Sequence, residues 1–190
     1  MVMNDYRKDI TAYFERLKDT LDKMSVDDIN GLIHVMEEAR KNGRQVFIMG
    51  NGGSAATASH AVCDINKGVS YGKDKRFKMI CLNDNFPTMM AYANDVSYDD
   101  VFVEPLKNFF NEGDVVIGIS GSGNSKNVLK AIEWANENGG TTVGLSGYTG
   151  GKMKEICKFN VHVPIMDMQI SEDIHMVLVH VMMRLLGGYC

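Results

Sequence analysis

The chain has 190 residues, which suffices for one well-packed α/β domain and is short for two. Its charged fraction of 23% and net charge of -4 are ordinary for a soluble protein and exclude the strongly basic surface of a nucleic-acid-binding protein. No apolar run approaches the ~18 residues of a membrane-spanning helix, and the N-terminal residues do not form a signal peptide. The four cysteines are scattered, which favours reduced, buried thiols. We therefore expect a cytoplasmic protein of one domain, without nucleic acid or membrane partners.

Two helices are predicted ahead of the first strand. Apolar residues recur every three or four positions from residue 4 to about 24, the spacing of an amphipathic helix. Ser25, with Asp28 three residues later, matches a capping box, and a second apolar series predicts a helix that runs to about residue 42. A minimal doubly wound sheet needs no such pair of helices. Residues 1–42 are therefore predicted to pack across a subunit interface, and covering the sheet is the alternative role.

From residue 43 to 190, strands and helices alternate. Continuous apolar runs, typical of buried parallel strands, predict strands at 45–49, 78–82, 114–119, 141–145 and 159–163. Helical patterns occupy 54–67, 87–93, 100–110, 125–138 and 151–156. The last segment, 169–187, is apolar on nearly every face and is predicted to be a buried helix. The alternation predicts a single α/β domain, a three-layer α/β/α sandwich around a mostly parallel sheet, with two extra N-terminal helices.

Two glycine-rich loops follow predicted strands and open predicted helices. Residues 50–54 read GNGGS, and residues 120–125 read SGSGNS. Free amides at a helix N-terminus attract anions or polar sugar edges, and the serine hydroxyls of the second loop add donors for a phosphate monoester. Either loop alone would be as consistent with a plain turn as with a ligand site. Because both lie at the carboxyl ends of parallel strands, where open α/β sheets bind ligands, together they predict a site for a small sugar phosphate.

A dinucleotide-binding fold is the competing interpretation of the first loop. Gly50, Gly52 and Ala55 fit a loose G-x-G-x-x-A fingerprint, and Asp84 stands beyond the next strand, where a ribose-binding acid would lie. The spacing of 34 residues from Gly50 to Asp84 exceeds the usual ~20. This interpretation also leaves residues 120–125 and the histidines without a role. The pattern therefore favours the sugar phosphate site over an NAD-dependent oxidoreductase.

Ionisable residues cluster on two predicted helices. The apolar last helix carries Glu172, Asp173, His175 and His180. His60 and Asp64 occupy i, i+4 positions on the helix that follows the first loop. Acids in a first helical turn can be simple caps, and a lone buried histidine is more often structural. Two histidines and two carboxylates from two helices nevertheless predict a site for zinc or a similar divalent cation.

A set of motifs in chain order resembles a known family. The motifs are Gly50-Asn51-Gly52-Gly53-Ser54 with His60, Ala93-Asn94-Asp95, Ser120-Gly121-Ser122-Gly123-Asn124-Ser125, Gly144-Leu145-Ser146-Gly147 with Gly150-Gly151-Lys152, and Ile174-His175 with His180. They resemble the sugar isomerase (SIS) domain and, more narrowly, the sedoheptulose 7-phosphate isomerases, or phosphoheptose isomerases. The resemblance implies a cytoplasmic homotetramer with zinc as cofactor. It also implies conversion of sedoheptulose 7-phosphate to D-glycero-D-manno-heptose 7-phosphate through an enediol, for cell-surface heptose or polysaccharide synthesis.

The resemblance further implies roles for individual residues. The phosphate-binding residues are Ser120, Gly121, Ser122 and Ser125. The sugar-binding residues are Asn51, Gly52, Gly53, Ser54, Asn94, Asp95 and Glu172. The metal ligands are His60, Asp64, Glu172 and His180. Asp64 and His180 are also the implied acid/base pair, which suits an enediol reaction because one group must move a carbon-bound proton while another serves the neighbouring oxygens.

Four positions depart from the family pattern. Asp64 replaces Glu, Glu172 replaces Gln, Gly121 replaces Thr, and Ile170 replaces Arg. These changes are expected to reshape both ends of the pocket, and they leave open whether Asp64 or Glu172 is the catalytic base. Two alternative functions also stay open. One is the isomerisation of a different sugar phosphate, and the other is a non-catalytic SIS module that senses a sugar phosphate or acts as a protein adaptor.

Overall fold

The computed structural model describes residues 4–189. Its helices are α1 (Arg7–Leu21), α2 (Val26–Lys41), α3 (Gly53–Cys63), α4 (Phe86–Asp95), α5 (Val103–Phe109), α6 (Lys126–Glu137), α7 (Gly151–Ile156) and α8 (Met168–Gly187). Its strands are β1 (Gln45–Gly50), β2 (Lys78–Cys81), β3 (Val115–Ser120), β4 (Thr141–Ser146) and β5 (Phe159–His162). A π-helical turn (Asp64–Val69) continues α3, and a 3-10 turn (Tyr98–Asp100) precedes α5.

The strands form a parallel five-stranded sheet in the order β2-β1-β3-β4-β5. The chain leaves β1 toward β2 on one side, whereas β3 and the later strands add on the other side. The strand order therefore reverses between β1 and β3, which pair with Gly50 opposite Ile119. Such a reversal opens a crevice at the carboxyl ends of the two strands, and both glycine-rich loops lie there. The predicted α/β fold with a mostly parallel sheet is confirmed.

Hydrophobic cores cover both faces of the sheet. On one face, Val46 and Ile48 pack in a cluster with residues of α2, α3 and α8. On the other face, Phe47 and Met49 pack with residues of α5 and α6. Successive side chains of a strand point to opposite faces, so β1 contributes to both clusters. The helices therefore form the two outer layers of a three-layer sandwich.

The two N-terminal helices begin and end close to their predicted positions. The Ser25 hydroxyl accepts a hydrogen bond from the backbone N–H of Asp28 at 3.1 Å, as a helix N-cap does. Within α1, Thr20 is the buried residue, whereas Ile10 and Phe14 are 51% and 59% exposed. The helix thus presents an apolar stripe that the rest of the chain between residues 4 and 189 does not cover. That residues 1–42 form a subunit interface stays a prediction.

Helix α8 is less buried than its composition predicts. Ile174, Leu178 and Met182 are buried in the first core, but Val177 and Leu185 are 38% and 48% exposed. Because α8 lies in an outer layer, only one of its faces meets the core. The prediction of a buried helix is therefore right for that face and wrong for the other. No helix in the described part of the chain, α8 included, is long and apolar enough to cross a membrane.

The cysteines differ in their surroundings. Cys81 and Cys157 are free and buried, as predicted, and burial raises the pKa of each thiol to about 12. Cys63 is free but exposed at the end of α3, where it falls outside both hydrophobic clusters. The prediction of a buried thiol is therefore wrong for Cys63. Cys190 lies outside the described residues.

Candidate active site

The two glycine-rich loops enclose a cavity of about 270 Å³ at the carboxyl ends of β1 and β3. The lining residues are Asn51, Gly52, Gly53, Ser54, Ile119, Ser120, Gly121, Ser122, Ser125, Met168 and Glu172. The structure thus brings together every residue that was predicted from the two loops, with Glu172 from α8. The lining contains no lysine or arginine. Amides and hydroxyls are therefore its hydrogen-bond donors, and Glu172 supplies its negative charge.

A larger cavity, of about 580 Å³, lies at the opposite end of the sheet. It is lined by α2 and by the first residues of the strands, with apolar walls from Val35, Ala39 and Phe159. None of the predicted site residues lines it. Ligands of parallel sheets bind at the carboxyl ends of strands, and polar groups converge on the smaller cavity. The smaller cavity is therefore the candidate active site.

Two glycines let the first loop turn tightly into α3. Gly52 has a φ of +56°, which side-chain-bearing residues rarely adopt. Gly53 lies so close to Glu172 that a Cβ at position 53 would be 2.5 Å from Glu172 Oε2. The Glu172 carboxylate therefore rests against the N-terminal end of α3, where the helix dipole favours negative charge. The same contact places this charge in the cavity.

The second loop is fixed from outside while its hydroxyls face the cavity. The backbone N–H of Met153 donates a hydrogen bond to the carbonyl of Gly123 at 2.9 Å, which ties the loop to α7. Ser120 Oγ and Ser125 Oγ lie 3.0 Å apart and share a hydrogen bond, and Ser122 also lines the cavity. Three hydroxyls beside the N-terminus of α6 suit a phosphate group.

Packing accounts for two of the departures from the family pattern. Gly121 is buried, and a Cβ at this position would lie 2.5 Å from Met168 Sδ. Met168 thus fills the space that a threonine side chain would need. Ile170 is completely buried in the first core and does not line the cavity. The Ile170 side chain points into the core and adds nothing to the cavity wall, so the expected reshaping of the pocket by the four departures together stays a prediction.

Three ionisable side chains converge farther along α3 and α8. His60 Nε2 lies 3.2 Å from His180 Nε2 and 3.2 Å from Asp64 Oδ2, and His180 Nε2 lies 3.9 Å from the same oxygen. Asp64 Oδ2 is buried and accepts no hydrogen bond from residues 4–189. Tetrahedral zinc with bonds of about 2.0–2.1 Å holds its ligand atoms about 3.3 Å apart. The donor types, spacing and unpaired oxygen therefore fit a divalent cation.

Glu172, predicted as a fourth metal ligand, is not part of this group. It precedes His180 by eight residues on α8, which corresponds to about 12 Å along the helix axis. Its carboxylate instead contacts the first loop. The geometry of one chain therefore does not support Glu172 as a ligand, although it places Glu172 in the cavity as predicted.

The His60, Asp64 and His180 group is also separated from the cavity within one chain. His60 follows Gly53 by seven residues, or about 10 Å along α3. Asn94 and Asp95 lie at the exposed end of α4, where Asn94 Nδ2 donates to Asp95 Oδ1 at 2.7 Å, and neither residue lines the cavity. The single chain thus brings neither the predicted acid/base pair nor this sugar-binding pair to the phosphate loop.

His175 is the fully buried histidine of α8, whereas the His180 side chain is 54% exposed. Neither ring nitrogen of His175 has a hydrogen-bond partner in the described chain. Burial lowers the pKa of His175 to about 4, and the nearby backbone of Ser146 opposes this shift only in part. His175 is therefore a neutral core residue.

Polar contacts connect α1 to the end of α8 that lines the cavity. The Tyr13 hydroxyl donates to Asp173 Oδ2 at 2.6 Å, and Arg16 pairs with Asp167 at 2.8 Å. The hydrogen bond to Asp173, together with burial and the nearby carboxylate charges, raises the pKa of Tyr13 to about 12. Asp173, which the sequence suggested as a cap or ligand, thus serves to dock α1.

The side chains of Asn127 and Tyr98 hydrogen-bond to Asn51, although neither residue belongs to a motif that predicted the site. Asn127 lies in the first turn of α6, directly behind the serine loop, which is a weak signal for a supporting role. Nothing in the sequence marks Tyr98. Met168, on the cavity wall, was also missed because core filling is the usual role of methionine.

Known proteins match this chain along most of its length. The model of the SIS domain matches residues 5–147. The phosphoheptose isomerase of Helicobacter pylori strain P12 is 34% identical over 182 residues, which cover 96% of this chain and 94% of that protein. That of Aliarcobacter butzleri strain RM4018 is 33% identical over 184 residues, or 96% and 92% of the two chains. A phosphoheptose isomerase structure from Neisseria gonorrhoeae matches with a TM-score of 0.88 at 27% identity, covering 97% of this chain and 100% of that one. The chain belongs to the SIS domain family and, within it, to the phosphoheptose isomerases.

Proposed function

We propose that the protein isomerises sedoheptulose 7-phosphate to D-glycero-D-manno-heptose 7-phosphate, for cell-surface heptose or polysaccharide synthesis. The observation that carries the proposal is the convergence of residues 51–54 with Ser120, Gly121, Ser122 and Ser125 on one cavity. The proposal is supported by phosphoheptose isomerases that this chain matches along nearly their whole length. One loop has the donors for a phosphate and the other has the amides for a sugar, so a phosphosugar is the ligand class that uses both.

The phosphate is proposed to bind at Ser120, Ser122 and Ser125 with the Gly121 backbone. Because no cationic side chain lines the cavity, hydroxyls, amides and the dipole of α6 would balance the phosphate charge. The sugar would contact Asn51, Gly52, Gly53 and Ser54. The backbone amides of Gly52 and Gly53, at the start of α3, can donate to hydroxyl and carbonyl oxygens without adding charge. The Ser54 amide already donates to the Asn51 carbonyl at 3.0 Å.

Proton transfer is proposed to use Asp64 and His180. Exchange between a ketose and an aldose needs a base for the carbon-bound proton and an acid for the neighbouring oxygens, and a histidine can serve either step near neutral pH. Glu172 is the alternative base. Its carboxylate already lies in the cavity, against the sugar-binding loop, whereas Asp64 lies farther along α3.

His60, Asp64 and His180 are proposed as ligands of zinc or another divalent cation. When bound, such a cation polarises a substrate carbonyl and stabilises a developing oxyanion. Two imidazole Nε2 atoms 3.2 Å apart can share at most one proton, and Asp64 Oδ2 has no hydrogen-bond donor among the described residues, so lone pairs are available for a cation. Calorimetry of chelator-treated protein should show zinc binding and a rise in the unfolding temperature. Both signals should be lost in Asp64→Ala, and zinc binding that survives this substitution would exclude the site.

We also propose a cytoplasmic homotetramer. The exposed apolar stripe of α1 supports a subunit interface, and the free thiols of Cys81 and Cys157 suit a reducing compartment. A neighbouring subunit could bring its own Asn94, Asp95 and His180 to the cavity. This arrangement would explain why one chain alone separates these residues from the phosphate loop.

The proposal is tested by following sedoheptulose 7-phosphate with the protein by NMR, with and without zinc. We expect aldoheptose signals and exchange of the proton on the carbon next to the carbonyl. Asp64→Asn and Glu172→Gln distinguish the two candidate bases, because only the substitution of the base should abolish proton exchange while phosphate binding persists. Binding without product or exchange would indicate a non-catalytic sensor instead. Turnover of only another sugar phosphate in a panel would reassign the substrate.

A further inference from the structure

The side chain of Asn51 is held by two residues that do not line the cavity. Asn51 Nδ2 donates to Asn127 Oδ1 at 2.9 Å, and Asn127 Nδ2 donates to Asn51 Oδ1 at 2.9 Å. The Tyr98 hydroxyl lies 2.9 Å from Asn51 Oδ1 and donates to it. Asn127 is only 2% exposed, whereas Tyr98 is 54% exposed. A closed amide pair thus joins the first loop to the helix that follows the second loop.

The chemistry of the contacts fixes the orientation of both amides. The backbone N–H of Val128 can only donate, so the Asn127 atom 3.0 Å from it must be the oxygen, Oδ1. The same oxygen faces Asn51, so the facing Asn51 atom must be Nδ2. The other Asn51 atom is therefore Oδ1, opposite Asn127 Nδ2. A flip of either amide would set two donors or two acceptors against each other.

The Asn51 amide has one hydrogen-bonding group left for a ligand. Its Oδ1 accepts from Asn127 and from Tyr98, which uses both lone pairs. Its Nδ2 donates one of two hydrogens to Asn127. One N–H remains, on a side chain that lines the cavity. Asn51 can therefore donate to a ligand oxygen but cannot accept from a ligand hydroxyl.

We infer that Asn127 and Tyr98 are positioning residues that make Asn51 a single, fixed hydrogen-bond donor for an acceptor oxygen of the substrate. The inference rests on the proposed function. An acceptor of this kind is the carbonyl of the ketose or the oxyanion that develops from it, and a preorganised donor there favours the charged state. Asn127 acts through Asn51 and not through the ligand, because it does not line the cavity.

The test compares Asn127→Leu with Asn136→Leu. Asn136 lies on the same helix, and its amide also makes two hydrogen bonds of 2.8 Å, to the Ile156 carbonyl and from Thr142, but far from the cavity. Neither substitution changes the net charge. Asn127 is buried and Asn136 is half-buried, and the loss of either amide should lower the unfolding temperature similarly. We expect Asn127→Leu to lower kcat/KM for sedoheptulose 7-phosphate ~10–100-fold, mostly through kcat, and Asn136→Leu to change it less than about twofold.

Tyr98→Phe provides a variant that does not threaten folding, because the Tyr98 side chain is exposed. It leaves one lone pair of Asn51 Oδ1 unused and should lower kcat/KM ~3–10-fold with an unchanged unfolding temperature. Inorganic phosphate should bind the wild-type protein, Asn127→Leu and Tyr98→Phe equally, since the serine loop is untouched. Equal activity of the Asn127 and Asn136 variants, or loss of phosphate binding in parallel with activity, would overturn the inference.

Failure of the proposed reaction would remain distinguishable from failure of the inference. If the wild-type protein binds sedoheptulose 7-phosphate without turning it over, the proposed reaction is refuted. The affinity for this sugar phosphate is then measured in place of kcat. Asn127→Leu should then bind the sugar phosphate ~10-fold more weakly than Asn136→Leu does, and the affinity for inorganic phosphate should be unchanged. Equal affinities of these two variants for the sugar phosphate would refute the positioning role by itself.

Discussion

At the scale of single residues, Glu172 determines the electrostatics of the cavity. Its carboxylate shares the cavity with the serine loop, and no lining lysine or arginine offsets its charge. Because like charges in one cavity repel, Glu172→Gln is expected to tighten the binding of inorganic phosphate ~3–10-fold at low salt. Isothermal titration measures this change. Glu155→Gln, which removes the same charge from the exposed end of α7, is the control, and an equal effect in both variants would contradict the prediction.

The buried His175 is expected to make the stability of the protein depend on pH. Its pKa is lowered from the ordinary value near 6.5 to about 4 because the ring is buried. The unfolded chain therefore binds a proton at a higher pH than the folded chain. Stability is unaffected by His175 above pH ~6.5 and falls as the pH drops from ~6.5 to ~4, by up to about 3 kcal/mol.

Urea unfolding of the wild type and of His175→Gln, at several pH values between 4 and 7.5, measures this contribution. The substitution is expected to flatten the pH dependence in that window, because glutamine does not titrate. A slope that is identical in the two proteins would show that carboxylates alone account for the loss of stability in acid.

At the scale of elements, Asp167 both starts α8 and anchors α1. Its side chain accepts a hydrogen bond from the backbone N–H of Ile170 at 3.2 Å and pairs with Arg16 at 2.8 Å. Asp167→Ala should cost about 1–2 kcal/mol of unfolding free energy, mainly through the lost N-cap. Asp167→Asn keeps the cap and loses the ion pair, and the Arg16 side chain is 54% exposed, so this variant should lose less than about 1 kcal/mol. Urea unfolding measures both losses of unfolding free energy. If Asp167→Ala and Asp167→Asn lose the same amount, the ion pair with Arg16 and not the N-cap accounts for the effect.

The end of α3 shows why an element can be predicted while its last turn cannot. The sequence predicts one helix over 54–67, and the structure has an α-helix to Cys63 and a π-helical turn from Asp64 to Val69. In this turn, the backbone N–H of Ser70 donates to the carbonyl of Ile65 at 3.1 Å, five residues back. Helical periodicity does not distinguish this pattern, which depends on packing against α8.

At the scale of the whole molecule, the apolar stripe of α1 predicts association. Phe14→Asp is expected to shift the protein in light scattering from the proposed homotetramer toward the 21.1 kDa monomer, because a charge would enter the proposed interface. Phe14 is 59% exposed, so the subunit should still fold. Ala12→Asp places the same charge on another exposed face of α1 and should leave the assembly intact. A wild-type mass near 21.1 kDa would refute the assembly itself.

By itself, the sequence was sufficient to predict the α/β fold, the capped start of α2 at Ser25 and the two loops that form the cavity. Each of these depends on residues that are neighbours in the chain: apolar runs make buried strands, a serine caps the amides that follow it, and glycines allow tight turns. Because parallel strands end at one edge of the sheet, local patterns also placed both loops at a single site.

Only the tertiary structure decided which side chains of different helices and loops contact one another. Asn51 and Asn127 are 76 residues apart, and Tyr13 and Asp173 are 160 residues apart, so no local pattern predicts either hydrogen bond. No local pattern predicts that His175 is buried whereas His180 is exposed. Nor does one predict that Glu172 lies against Gly53. Packing between elements sets burial, hydrogen-bond partners and the direction of a carboxylate, because these properties belong to pairs of surfaces and not to one segment.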